Sequence, residues 1–96
     1  MMHAPADVGS LVTRREAESD VAELLEWIAR RLVDEPDAVR VETEEREDAV
    51  VFRLHVAPDD VGKVIGRQGR LARALRSIVR AAGARADRRF VLEIAD

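Results

Sequence analysis

The stretch VGKVIGRQGRLARALR, Val61 to Arg76, places three glycines, five cations and a helical apolar stripe in sixteen residues. The chain around it is acidic. Its 96 residues carry a net charge of −3, and the charge is divided unevenly. Residues 1–60 hold 16 acidic and 7 basic side chains, whereas residues 61–96 hold 9 basic and 3 acidic. A local potential steers a ligand more than the global sum does, so the basic segment marks where an anion would be received.

Within that segment, Gly66 and Gly69 bracket Arg67 and Gln68 at a junction between two helices. Without side chains at either end, a ligand backbone can approach the loop closely. The second helix begins at Gly69, so its unpaired N–H groups and positive dipole end face the same place. A phosphate is the natural guest. Lys63, Arg67 and Arg70 add cationic donors, and Gln68 adds a neutral one.

The rest of the chain supplies a frame. Residues 1–18, with Pro5 and Gly9, lack sustained periodicity and read as a mobile tail. Ser19 or Asp20 is expected to cap a first helix, with Val21, Leu24, Leu25, Ile28 and Leu32 on its apolar face and Pro36 as its stop. Trp27 falls off this stripe. Val39, Val41 and Thr43 alternate with polar residues in one strand. Val50, Phe52, Leu54 and Val56 alternate with Val51, Arg53 and His55 in a second, so a hairpin is expected around the charged turn EERED.

Pro58, Asp59 and Asp60 suit the start of a short helix whose Val61, Val64 and Ile65 point inward and which Gly66 stops. Gly62 is expected to allow close helix packing. Another helix follows from about Arg70 to Ala82, with Leu71, Leu75, Ile78, Val79 and Ala82 buried and Gly83 as its end. Phe90, Leu92 and Ile94 alternate in a last strand. The order is helix, strand, strand, helix, helix, strand. The long crossover favours parallel pairing of the last two strands. The expected fold is a two-layer α+β domain over residues 19–96, a three-stranded mixed sheet with three helices on one face.

Three phosphate-binding loops compete for the glycine segment. A P-loop needs G-x-x-x-x-G-K-[ST] after a strand; here Lys63 follows Gly62, but the spacing and the Ser/Thr are missing. A dinucleotide loop needs G-x-G-x-x-G between strand and helix, whereas Gly62, Gly66 and Gly69 give G-x-x-x-G-x-x-G between helices. The third is the KH loop, which clamps the backbone of about four nucleotides. VIGRQGRLARAL resembles the KH signature V-I-G-x-x-G-x-x-I/L followed by a helix, and the element order is similar to the prokaryotic type II KH arrangement. With LVDEPDAVRV and VAPDDVGKVIGRQGRLARALRSIVRAA, the chain resembles the small bacterial single-domain KH proteins of the KhpA type from about Asp20 to Ala95.

That resemblance implies a groove for single-stranded RNA. One wall is the short helix, the loop and the start of the next helix; the other is the last strand with a variable loop over Gly83 to Arg88, where Arg85, Arg88 and Arg89 sit. The implied contacts are Lys63, Val64, Ile65, Gly66, Arg67, Gln68, Gly69, Arg70, Arg73 and Arg88. The backbone of Phe90 to Leu92 is the implied partner of base edges. Whether Arg76 and Arg80 touch RNA stays open. The resemblance also implies pairing, as a homodimer or with a larger KH-containing Jag-type protein (KhpB), which raises effective concentration on one RNA.

The three aromatics, Trp27, Phe52 and Phe90, are not expected in the groove. Base stacking contributes roughly 1–3 kcal/mol per base, so low sequence specificity is expected. No Ser/His/Asp, Cys/His or paired-carboxylate arrangement points to an enzyme, and no cofactor or metal site is expected. There is no cysteine. No apolar run approaches the ~20 residues of a membrane span. The start MMHAPADVGS lacks the pattern of a signal peptide, and the protein is read as soluble and cytoplasmic. The implied function is RNA binding, in a post-transcriptional regulator or RNA chaperone. The alternative is a KH fold kept mainly as an assembly surface.

Overall fold

A computed structural model describes residues 14–95. Residues 1–13, most of the expected tail, lie outside the described residues. Helix α1 spans Arg14–Leu32, strand β1 Arg40–Glu45, β2 Val50–His55, helix α2 Val61–Ile65, helix α3 Arg70–Arg85 and strand β3 Phe90–Ile94. The order follows the expected one, and the sheet runs β1-β2-β3. β1 pairs antiparallel with β2, and β2 pairs parallel with β3, with Val50 opposite Phe90 and Phe52 opposite Leu92. All three helices cover the same sheet face, because Val50, Phe52, Leu54, Phe90 and Leu92 share one core with Val21, Leu25, Val64, Leu75 and Val79. Phe52 and Phe90 meet edge to face with centroids 5.0 Å apart. Fully burying side chains of this size contributes ~1.5–3 kcal/mol each.

Several boundaries differ from expectation. α1 begins at Arg14 rather than at a cap on Ser19 or Asp20. Ala17, one turn before Val21, is buried and extends the core face toward the N-terminus. Leu24 and Leu32 of the expected stripe are exposed, and Ala29 takes the buried place beside Leu25. In α3 the buried side is Ala72, Leu75, Val79 and Gly83, while Ile78 is 46% exposed.

Gly83 does not end α3. The helix runs to Arg85 and closes where Asp87 takes a positive φ of 56°. Arg88 N–H then donates to the Gly83 carbonyl (2.8 Å) and Asp87 N–H to that of Ala84 (3.1 Å), a Schellman closure with aspartate in the left-handed place. Gly83 is needed for a different reason. A Cβ there would lie 2.8 Å from the Phe90 nitrogen and 2.9 Å from its Cβ, so the glycine lets α3 press onto the start of β3. The expected variable loop therefore shrinks, since Gly83 to Arg85 are helical.

The outer sheet face is less bare than alternation predicts. Val51 is buried there. Arg53 reaches from the central strand to Glu93 on β3 (3.1 Å) and diagonally to Glu44 on β1 (3.4 Å), and Glu44 stands opposite Val51. Val51 is thus flanked on this face by Arg53, two residues along its own strand, and by Glu44 across from it. His55 Nε2 meets Glu42 at 2.6 Å, and this hydrogen bond holds the Glu42 carboxyl below its ordinary value.

Candidate nucleic-acid interface

The glycine loop owes its shape to three positive φ values. Gly66 closes α2 at φ 79°, ψ 171°, with its N–H bonded to the Gly62 carbonyl (2.9 Å). Gln68 adopts φ 57°, ψ 24°, and Gly69 φ 73°, ψ 13°. The Gly66 conformation is essentially closed to residues with a side chain. A Cβ there would also stand 2.7 Å from the Leu71 Cβ, so the loop is folded back tightly on the first turn of α3. No side chain caps α3. The Gly69 N–H bonds the Gly66 carbonyl (3.1 Å) and the Arg70 N–H that of Arg67, so the loop is closed by its own backbone while the positive end of α3, free of any capping side chain, points into it.

Among the cations expected to serve this loop, Arg67, Arg70 and Arg73 are exposed. Arg70 Nη2 donates to Gln68 Oε1 (3.1 Å), which aligns the two side chains on the loop. Arg73 joins them, since its Nη1 lies 3.7 Å from where a Cβ on Gly69 would stand. Ile65 is 37% exposed rather than inward-facing, and it offers an apolar surface beside the loop. Leu71 is half-buried.

Two expected contact residues are placed elsewhere by packing. Val64 is fully buried and belongs to the core beneath the site. Arg88 turns away to the β1–β2 hairpin. Its Nη2 donates to the Arg46 carbonyl (2.7 Å) and to that of Ala49 (3.5 Å), and it faces Glu45 at 3.7 Å. The guanidinium is consumed in clamping the hairpin turn to the start of β3. Its Nε is buried without a hydrogen-bond partner.

Lys63 stands at the loop's flank already paired. Its Nζ lies 3.3 Å from Asp60 Oδ1 and 3.3 Å from Asp34 Oδ2. Hydrogen bonds with Asp60 and then Asp34 hold its ammonium pKa above the ordinary value. Asp60 was expected to favour the start of α2, but it makes no side-chain cap there. It is buried, and its Oδ2 accepts the Glu35 N–H (3.1 Å), which ties the α1–β1 connection to α2. Burial pushes the Asp60 carboxyl up; the N–H groups of Glu35 and Asp34 and the Lys63 ammonium outweigh it, and the net direction is down. Gly62, expected to permit close helix packing, faces open space within 4 Å of a built Cβ.

From the loop, α3 runs back along the sheet to meet Phe90. Between α3 and β3 lies a groove of about 280 Å³ lined by Arg76, Arg80, Arg89, Phe90, Val91 and Leu92. β3 is an outer strand, so one of its backbone edges is unpaired by the sheet. Arg76 and Arg80 thus gain a definite place beside the strand edge. The sequence signal for it is their spacing: at 100° per residue both fall on the flank of α3 next to Ala72 and Gly83, with Arg73 continuing the row toward the loop. Arg85 does not line the groove. A second, wholly apolar groove lies between α1 and α3, lined by Leu24, Ile28, Leu75, Ile78 and Ala82 among others. Near it on α1, Trp27 is 56% exposed and carries the Arg31 guanidinium 4.3 Å above its ring.

Among the described residues no three His, Cys, Asp or Glu side chains gather where they could hold a metal, and no helix is long and apolar enough to cross a membrane. A family model described as KhpA/KhpB, KH domain matches residues 22–94. Proteins named RNA-binding protein KhpA are similar over most of the chain. The one from Halalkalibacterium halodurans is 52% identical over 73 residues, covering 76% of this chain and 96% of its own. The one from Aquifex aeolicus is 50% identical over 76 residues, covering 79% and 96%. The one from Clostridium acetobutylicum is 49% identical over 72 residues, covering 75% and 96%.

Proposed function

The chain belongs to the KhpA/KhpB KH-domain family, and we propose that it is an RNA-binding module that clamps the backbone of single-stranded RNA through Gly66, Arg67, Gln68 and Gly69, without catalysis. The observation that carries this reading is the loop itself. Three positive φ values fold it onto the positive end of α3, which no side chain caps, while Arg67, Arg70 and Arg73 surround it without acidic partners among the described residues. The phosphates lie on the loop, and the strand continues along Arg76, Arg80 and Arg89 with its bases toward the edge of β3. The one aromatic along this groove, Phe90, is only 3% exposed and turns its ring onto Phe52 in the core, so no open aromatic face is offered for base stacking and sequence specificity is low. The acidic remainder repels RNA elsewhere. Such binding suits a cytoplasmic post-transcriptional regulator or RNA chaperone.

Changing Arg67 and Gln68 together to aspartate is expected to abolish binding to a single-stranded oligonucleotide while the melting temperature stays near wild type. Binding at wild-type affinity would remove the clamp from the site.

A second reading, pairing with another copy or with a larger KH-containing protein of the KhpB type, is favoured by the apolar groove between α1 and α3. There Leu24 is 42% exposed, and Ile78 lies on the flank of α3 opposite Arg76 and Arg80. A partner seated there leaves the RNA groove open. In the alternative form of this reading the fold is mainly an assembly surface. Sedimentation with and without RNA separates them: a tight dimer indifferent to RNA supports the assembly role, and a monomer unaffected by Ile78→Glu excludes self-pairing on this face.

A further inference from the structure

Lys63 differs from the other cations at the loop. It lies three residues before Gly66 on α2, and residues so spaced share one side of a helix, about 5–6 Å apart between Cβ atoms. A lysine there can reach a phosphate seated on the loop. In the structure it instead meets two carboxylates, Asp60 and Asp34, each at 3.3 Å. These two partners have different standing. Asp60 has a side chain 2% exposed and also accepts the Glu35 N–H, so its contact with Lys63 compensates a buried charge. Asp34 has a side chain 78% exposed, and Lys63 is the one partner its carboxylate has among the described residues. Water can satisfy Asp34 without help. Its contact is therefore dispensable for the fold, yet it adds a second hold on the ammonium.

We propose that Asp34 sets the affinity of the RNA site by competing with a backbone phosphate for Lys63. The inference rests on the RNA-binding reading above. Bound RNA would draw the ammonium from Asp34 toward a phosphate at Gly66, while Asp60 keeps its own contact. The exchange trades one solvent-exposed ion pair for another, so it limits affinity without blocking binding. Arg67 and Arg70, which face no such competitor, provide the first hold on the strand.

The test is fluorescence anisotropy of a labelled oligouridine titrated with the full chain over a series of salt concentrations. Asp34→Asn is expected to tighten binding at low salt about two- to fivefold, what an exposed ion pair contributes. Because Lys63 reaches the phosphate in both chains, the log–log salt slope should stay close to wild type, whereas Lys63→Met should lower it by about 0.7, one phosphate contact on a single strand. Lys63→Met in the Asp34→Asn background should also remove the gain in affinity. An unchanged affinity in Asp34→Asn overturns the proposal. So does a gain that survives Lys63→Met, because it would then be a general effect of one fewer negative charge. If the wild-type chain fails to bind, or binds no better than the Arg67→Asp, Gln68→Asp variant, the RNA-binding reading fails and this inference falls with it.

Discussion

Residues 66, 68 and 69 hold φ values of 79°, 57° and 73°, and replacing them one at a time measures how the loop is held. At Gly66 two costs combine. A side chain in that backbone region costs ~1–3 kcal/mol, and forcing a Cβ against Leu71 adds ~1–3 kcal/mol of overpacking. The contact in question is 2.7 Å to the Leu71 Cβ and 3.1 Å to its backbone nitrogen. Gly66→Ala should therefore destabilise by about 4 kcal/mol. At Gly69 the nearest atom is Arg73 Nη1 at 3.7 Å, an ordinary contact. Only the left-handed backbone penalty remains, partly offset by the stiffer unfolded chain, so Gly69→Ala should cost about 1 kcal/mol. Gln68→Gly relieves the same penalty but loosens the unfolded chain, and its net effect should be near zero. Urea denaturation read at constant m-value is the assay; 1 kcal/mol also corresponds to roughly 4–8 °C in melting temperature for a domain of this size. Equal losses at Gly66 and Gly69 would refute the reasoning, because they would mean that Leu71 yields and the loop is not braced against α3.

Three further outcomes are expected. Gly83→Ala should destabilise by about 2–3 kcal/mol in the same denaturation assay, whereas an ordinary mid-helix Gly→Ala would stabilise by about 1 kcal/mol, so the sign decides whether α3 is pressed onto β3. Arg76→Ala should lower the log–log salt slope for RNA by about 0.7 while Arg85→Ala leaves it unchanged; equal effects would place the strand outside the α3–β3 groove. Asp60 has a folded pKa below its ordinary 3.8. Its contribution to stability is thus intact above that value and is lost as pH falls through the lower folded one. Denaturation midpoints followed from neutral pH into acid should fall less steeply in Asp60→Asn, and identical profiles would discount the buried carboxylate.

The elements themselves were legible because each rests on local pattern. The strict alternation of Val50, Phe52 and Leu54 reads as a strand, and two helices between β2 and β3 impose a crossover and hence parallel pairing. Periodicity was less able to say which apolar residue of a helix is covered. Ile78 and Leu24 carry the right spacing, yet they line the open groove between α1 and α3 and remain exposed. A tertiary boundary of that kind has no period of its own. Glycine was ambiguous for a similar reason. Gly66 and Gly69 serve the backbone of their own loop, so the motif identifies them. Gly83 serves the approach of a strand beginning at Phe90, and the same residue beside a helix end reads as a stop.

By itself the sequence determined the loop proposed to receive a phosphate backbone, since glycines at a helix start with arginines beside them draw their geometry and charge from adjacent residues. Only the tertiary structure decided which cations are free to serve it. Arg88 is spent on the carbonyls of Arg46 and Ala49, and Lys63 is shared with Asp34 and Asp60. Arg76, Arg80 and Arg89 gather along the edge of β3. A charge is written in the chain, but its availability depends on which partner packing brings into contact, and for Arg88 and for the Lys63–Asp34 pair that partner lies far away in sequence.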